Sequence, residues 1–69
     1  MEDADLDNRF TFHPATENTG PKFSAVREDC LVLARTLNIL CPDSRELSLA
    51  ITHLEEVMYW ANASIARNT

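Results

Sequence analysis

Apolar residues between about positions 22 and 40 recur at alternating spacings of three and four, which places them on one face of an α-helix. This stripe consists of Phe23, Val26, Cys30, Leu33, Leu37 and Leu40. A second stripe, on another face, recurs every seven residues and consists of Ala25, Val32 and Ile39. One apolar stripe needs one neighbouring helix, and a second stripe needs a further neighbour. The pattern therefore predicts a helix that packs on two sides.

A second helix is predicted from about Ser44 to Ala66, after a break at Pro42, because proline cannot continue the first helix. Asp43 and Glu46 have the spacing of a capping box and mark its start. Its inner face should carry Leu47, Ala50, Ile51, Leu54, Val57, Met58, Ala61 and Ile65. Two helices joined by so short a turn must be antiparallel neighbours, so the predicted fold is an all-α, antiparallel two-helix hairpin.

Residues 1–20 are expected to form an acidic tail and an irregular arm, and residues 21–69 the helical hairpin domain. Pro14, Gly20 and Pro21 interrupt the arm, yet it contains Phe10 and Phe12, two of the three phenylalanines. We expect these rings either to cover an apolar patch or to stack on a ligand.

The length of 69 residues makes a single core marginal, because a chain near this size buries only about 60% of its unfolded surface. Small proteins usually compensate for a marginal core with disulfides, a bound metal or self-association. Cys30 and Cys41 would lie roughly 16 Å apart along one helix, too far for a disulfide. His13 and His53 lack metal-ligand spacing with either cysteine. Self-association is therefore the favoured way to stabilise this chain.

The net charge of −5 is concentrated at the N-terminus, where four acidic residues lie within the first eight. From Arg9 onward, six basic residues oppose seven acidic ones, and no basic run suits duplex nucleic acid. No apolar stretch approaches the roughly 20 residues of a membrane span. The acidic start lacks a signal-peptide core, so a reducing cytoplasm is expected.

No catalytic constellation is present: no serine or cysteine has a recognisable base, and one glycine cannot build a phosphate loop. We therefore predict a binding protein without enzymatic activity, cofactor or metal.

His53, Trp60 and Arg67 lie seven residues apart along one edge of the second helix. An aromatic plane and a guanidinium suit a nucleotide. Alternatively, Trp60 anchors an interface and Arg67 complements the helix dipole.

Three segments, Arg9–Pro14, Pro42–Glu46 and Thr52–Asn68, together resemble the phage anti-CBASS cyclic-nucleotide sponges. The helical-hairpin domain of these sponges is shared with the phage sponges that counter Thoeris defence. The resemblance implies hairpins that assemble into hexamers in the host bacterial cytoplasm. It also implies that they sequester cyclic di- and trinucleotides without cleaving them, which suppresses CBASS immunity.

The resemblance also implies site residues for cyclic dinucleotides, in pockets between subunits. Phe12 matches the arm aromatic that stacks on a base; relatives commonly have tyrosine there, so one hydroxyl is lost. Arg27, or alternatively Lys22, matches the basic residue of the first helix that meets phosphate. Arg9 and His13 are included in this site with their roles open.

Arg67 and Asn68 are the residues expected to bind cyclic trinucleotides, near the symmetry axes of the assembly.

A different class of function remains open from the residues alone. The second apolar stripe would also suit a helical protein-interaction module without nucleotide affinity. An enzyme that degrades cyclic nucleotides is disfavoured, because no metal or base constellation is present.

Overall fold

The computed structural model describes residues 1–69 and contains three α-helices and no strand. Helix α1 spans Asp3–Phe10, α2 spans Gly20–Leu40 and α3 spans Arg45–Asn68. Helices α2 and α3 pack along each other in opposite directions, since Ala34 and Ile51 border one groove while Phe23 and Ala63 border a cleft nearer the other end. The predicted all-helical fold is confirmed.

Helix α1 corrects the prediction that all of residues 1–20 are irregular. Asp3 and Asp5 lie in its first turn and Arg9 in its last, so each charge complements the nearer end of the helix dipole. No proline or glycine interrupts the segment. The acidic residues that indicated a solvated tail instead favour a short helix. The division of the chain into an arm and a hairpin domain stays a prediction.

Reciprocal hydrogen bonds between Thr16 and Thr19 precede α2. The backbone N–H of Thr16 donates to Thr19 Oγ1 at 2.9 Å, and the N–H of Thr19 donates to Thr16 Oγ1 at 3.0 Å. Thr19 is buried, and Pro21 occupies the first turn of α2, where a missing N–H costs no hydrogen bond. The helix therefore begins at Gly20, slightly before the predicted Lys22.

Ser44, rather than Asp43, caps α3. The backbone N–H of Leu47 donates to Ser44 Oγ at 3.1 Å, and Ser44 has the extended conformation typical of such a cap. The predicted capping box at Asp43 and Glu46 was one residue out of register. The helix consequently begins at Arg45 and ends at Asn68.

The packed face of α2 follows the first predicted stripe only in part. Phe23, Val26, Cys30 and Leu37 are half-buried, whereas Leu33 and Leu40 are exposed. A straight helix drifts about 20° per heptad from a seven-residue repeat, so these two leucines move to the edge of the packed face. On α3 the predicted inner residues are buried or half-buried, with the exception of the exposed Val57.

The hairpin buries very little by itself, because Leu47 is its one buried apolar residue. The accessible surface is 5551 Å², against about 4,400 Å² expected for a compact monomer of this mass. The radius of gyration is 15.1 Å, against about 11 Å for a compact chain of this length. The molecule is a thin, open layer of helices. No helix combines the length and hydropathy needed to cross a membrane.

We expect Ser44→Ala to lower the free energy of unfolding by about 1 kcal/mol, because the N–H of Leu47 loses its partner. Urea denaturation followed by circular dichroism, at one fixed protein concentration, measures this change. Ser24→Ala is the matched control, since Ser24 is exposed within α2. Equal effects of the two substitutions would show that Ser44 is not a cap.

Candidate functional site

One hydrogen bond joins the arm to the end of α3, and a second one, within the arm, fixes the turn after α1. Asn8 Nδ2 donates to the carbonyl oxygen of Arg67 at 3.3 Å, which satisfies one of the free carbonyls at a helix end. The carbonyl oxygen of Asn8 lies 2.8 Å from His13 Nε2, and because a carbonyl only accepts, the ring nitrogen donates. The chain thus turns back after α1 and brings Phe12 to the end of α3.

The arm and the two long helices border an open cleft of about 400 Å³, which we call the arm cleft. Phe12 borders it with an exposed ring, and Ala63 and Ala66 form a floor without bulky side chains. The lining residues are Arg9, Thr11, Phe12, His13, Phe23, Asn62, Ala63, Ala66 and Arg67. The volume suits one small molecule.

The arm cleft is cationic although the chain carries a net charge of −5. Arg9 and Arg67 both border it, and no aspartate or glutamate does. Two guanidinium groups offer charge-assisted, bidentate hydrogen bonds to phosphate, and the ring of Phe12 offers a stacking surface. The cleft can therefore receive a flat ligand that carries negative charge.

Asn62 is a polar residue of the arm cleft that the sequence did not single out. Its Oδ1 atom is buried and has no hydrogen-bond partner. Buried polar atoms are nearly always paired, so this oxygen can accept a hydrogen bond from a bound molecule. The signal was present in the sequence, because Asn62 follows Met58 by four residues on the inner face of α3.

The structure brings together some of the predicted site residues and separates others. Arg9, Phe12 and His13 meet in the arm cleft, together with Arg67 from the predicted trinucleotide site. Arg27 instead borders an apolar groove of about 350 Å³ between α2 and α3. Lys22 is exposed and borders neither space. Both ligand assignments stay predictions.

A second cleft, of about 620 Å³, lies between α1 and the end of α3. Trp60 and Phe10 border it, together with Arg67 and Asn68. Asp5 also borders this cleft, so its charge is less favourable to an anion than that of the arm cleft. Trp60 and Arg67 additionally share a third space, of about 490 Å³, with Tyr59. Arg67 thus stands where three clefts meet.

His53 lies apart from these clefts, so the predicted edge of His53, Trp60 and Arg67 is only partly a common surface. His53 Nδ1 lies 3.7 Å from Glu56 Oε2 in an exposed pair, which contributes little to stability. Cys30 and Cys41 are free, half-buried thiols. The histidine, cysteine and acidic side chains form no group of three that could hold a metal ion.

Comparison with protein families gives one match, to the Acb2/Tad1 hairpin domain, over residues 2–66. The chain belongs to this family. Acb2/Tad1 proteins are the anti-CBASS and anti-Thoeris sponges, and they act as sponges rather than as enzymes. The resemblance of the three segments is confirmed at this level, and the match also includes α1. Neither the curated proteins nor the solved structures provide a match.

Tyr59 of this Acb2/Tad1 hairpin has a pKa raised above the ordinary 10.0. Its hydroxyl donates a hydrogen bond to Glu55 Oε2 at 3.2 Å, which is the main cause; the negative charge of Glu55 and slight burial add to it. The hydrogen bond of the neutral Tyr59 hydroxyl therefore stabilises the folded state below the ordinary pKa of tyrosine. This stabilisation is lost as the pH rises through the raised pKa of Tyr59.

We expect Glu55→Gln to lower the pKa of Tyr59 toward its ordinary value, because the carboxylate that favours the neutral phenol is removed. Tyr59 is the only tyrosine in the chain, so an ultraviolet absorbance titration reports it directly. Glu56→Gln is the control, since Glu56 pairs with His53 instead. A pKa of Tyr59 that is the same in both variants would contradict the assignment.

Proposed function

We propose that the chain is a phage-encoded sponge that binds cyclic di- and trinucleotides without cleaving them and so suppresses CBASS immunity in the host bacterial cytoplasm. The observation that carries this proposal is the arm cleft, where an exposed aromatic ring and two guanidinium groups converge without an opposing carboxylate. Membership of the sponge family supports it.

Each group of the arm cleft has a role in this proposal. Phe12 stacks on a base, and because phenylalanine lacks a hydroxyl, the ring contributes area without a hydrogen bond. Arg9 and Arg67 neutralise phosphate, and Asn62 Oδ1 accepts a hydrogen bond from an N–H of the ligand. His13 fixes the turn that presents Phe12, through its bond to the Asn8 carbonyl.

Self-assembly, into a hexamer as the resemblance implies, is part of the same proposal. The excess of exposed surface and the single buried apolar residue support it. Arg27 does not border the arm cleft of its own chain. In an intersubunit pocket, Arg27 or Lys22 of a second copy meets the phosphate of a dinucleotide. Arg67 and Asn68, near the symmetry axes, bind trinucleotides.

Isothermal titration of the purified protein with 3′,3′-cyclic GMP–AMP tests the proposal, followed by heating and chromatography of the released ligand. Saturable binding and recovery of intact ligand support a sponge. Recovery of a cleaved product would contradict sequestration. Absence of binding to a panel of cyclic di- and trinucleotides would favour the helical protein-interaction module.

Phe12→Ala should raise the dissociation constant for the dinucleotide by about 5- to 150-fold, the equivalent of about 1–3 kcal/mol for one stacked base. Phe10→Ala is a closely matched control, because Phe10 and Phe12 are 85% and 83% exposed but only Phe12 borders the arm cleft. Equal losses of affinity in the two variants would remove the arm cleft as the binding site.

Arg67→Ala and Arg27→Ala separate the contribution of the arm cleft from that of a second copy. Each should weaken dinucleotide binding by about tenfold or more if its guanidinium meets phosphate. Arg45→Ala, at the far end of α3, should leave the affinity unchanged. If only Arg67→Ala loses affinity, Arg27 does not contact the phosphate. If only Arg27→Ala loses affinity, the phosphate contact lies outside the arm cleft.

A further inference from the structure

We propose that a second copy of this chain docks antiparallel on the outer face of α2, with Val32 at a two-fold axis. The outer face consists of the stripe Ala25, Val32 and Ile39. This inference rests on the proposed self-assembly and adds its contact surface, the direction of the partner helix and the register of the pairing.

The outer face lies on the side of α2 remote from α3. At about 100° per residue, Val32 points roughly 160–180° away from Cys30 and Phe23, which are half-buried in the hairpin. Val32 is 62% exposed and Ile39 is 81% exposed. No other part of the chain covers these side chains, so the stripe is available to a second helix.

An antiparallel pair about Val32 matches small residues with large ones. With Val32 facing its own counterpart, Ala25 of each copy lies opposite Ile39 of the other. A small residue opposite a large one maintains an even helix separation of about 8–10 Å along three layers. The same surface serves both copies, as an isologous two-fold contact requires.

The charges beside the stripe favour the same register. Glu28 and Arg35 lie on one edge, about 40° and 60° from Val32 around the helix. The two-fold axis keeps that edge on the same side of both copies. It therefore places Arg35 opposite Glu28 of the second copy, within about 1.5 Å along the helix axis. Two ion pairs result, and neither residue has an ion-pair partner within the chain.

A parallel pair on the same stripe lacks this complementarity. It would place Glu28 of one copy beside Asp29 of the other, on both edges of the contact. Like charges that face each other across an interface are costly and select against that arrangement. In the antiparallel pair, Asp29 instead lies opposite Thr36, which is uncharged. Charge therefore selects the direction of the second helix.

The surface available is adequate for such a contact. The chain exposes about 1,200 Å² more than a compact monomer of its mass. One partner in an interface of standard size loses about 800 Å². A contact of that size lies within this excess, and the stripe on the outer face of α2 includes no residue that borders the arm cleft.

Charge reversal tests the register. Arg35→Glu or Glu28→Arg alone creates two like-charge pairs in each contact and should raise its dissociation constant by about tenfold or more. Sedimentation equilibrium should then show an assembly of about half the wild-type mass, as for a closed assembly that loses a two-fold contact. The double variant Glu28→Arg with Arg35→Glu exchanges the two charges and should restore the wild-type mass.

Arg45→Glu carries the same change in net charge as Arg35→Glu and should keep the wild-type mass, with circular dichroism verifying that every variant is helical. If both single charge-reversal variants keep the wild-type mass, the proposed α2 contact is wrong. The proposed sponge function would not be affected by that result. Single reversals that dissociate without restoration in the double variant would overturn the register. A wild-type chain that is monomeric at all concentrations would overturn self-assembly itself, whatever its nucleotide affinity.

Discussion

Burial of apolar surface is the constraint on which the rest of this structure depends. Two amphipathic helices can cover each other along one face only, and in this chain Leu47 is the one apolar residue that is buried, while the other packed residues are half-buried. The hydrophobic term grows with the area removed from water, whereas each ordered residue costs conformational entropy. A thin hairpin of 69 residues therefore gains little hydrophobic stabilisation from its own core, and the apolar face of α2 stays exposed within the single chain.

The arm depends on the hairpin in a different way. Helix α1 has no buried residue, and the hydrogen bond from Asn8 Nδ2 to the carbonyl oxygen of Arg67 connects it to α3. Segments with few buried contacts open at low cost, so the arm belongs to the least stable part of the fold. The wall of the arm cleft that contains Phe12 is consequently easier to open than the wall formed by α3.

Periodicity was sufficient to predict α2, α3 and the turn between them, because helix pairing is encoded by apolar spacing. It failed for α1, which is only eight residues long and has no buried residue, and whose end charges complement the helix dipole. It also failed by one residue at Ser44, because Asp43 and Ser44 are both good caps and backbone conformation decides between them. In the site, the arm residues could be predicted as a group. The approach of Arg67 to Phe12 could not, since it depends on where the arm turns back in three dimensions.

The position of Arg67 at the meeting point of three clefts makes those clefts competitors. Two anionic ligands, one in the arm cleft and one beside Trp60, would have to share the single charge of this guanidinium. Under the sponge proposal, occupancy of one cleft would weaken binding in the others, and thermodynamic reciprocity would make that antagonism equal in both directions. Each chain would then hold one charged ligand at a time near Arg67, and the more abundant or tighter-binding ligand would occupy it.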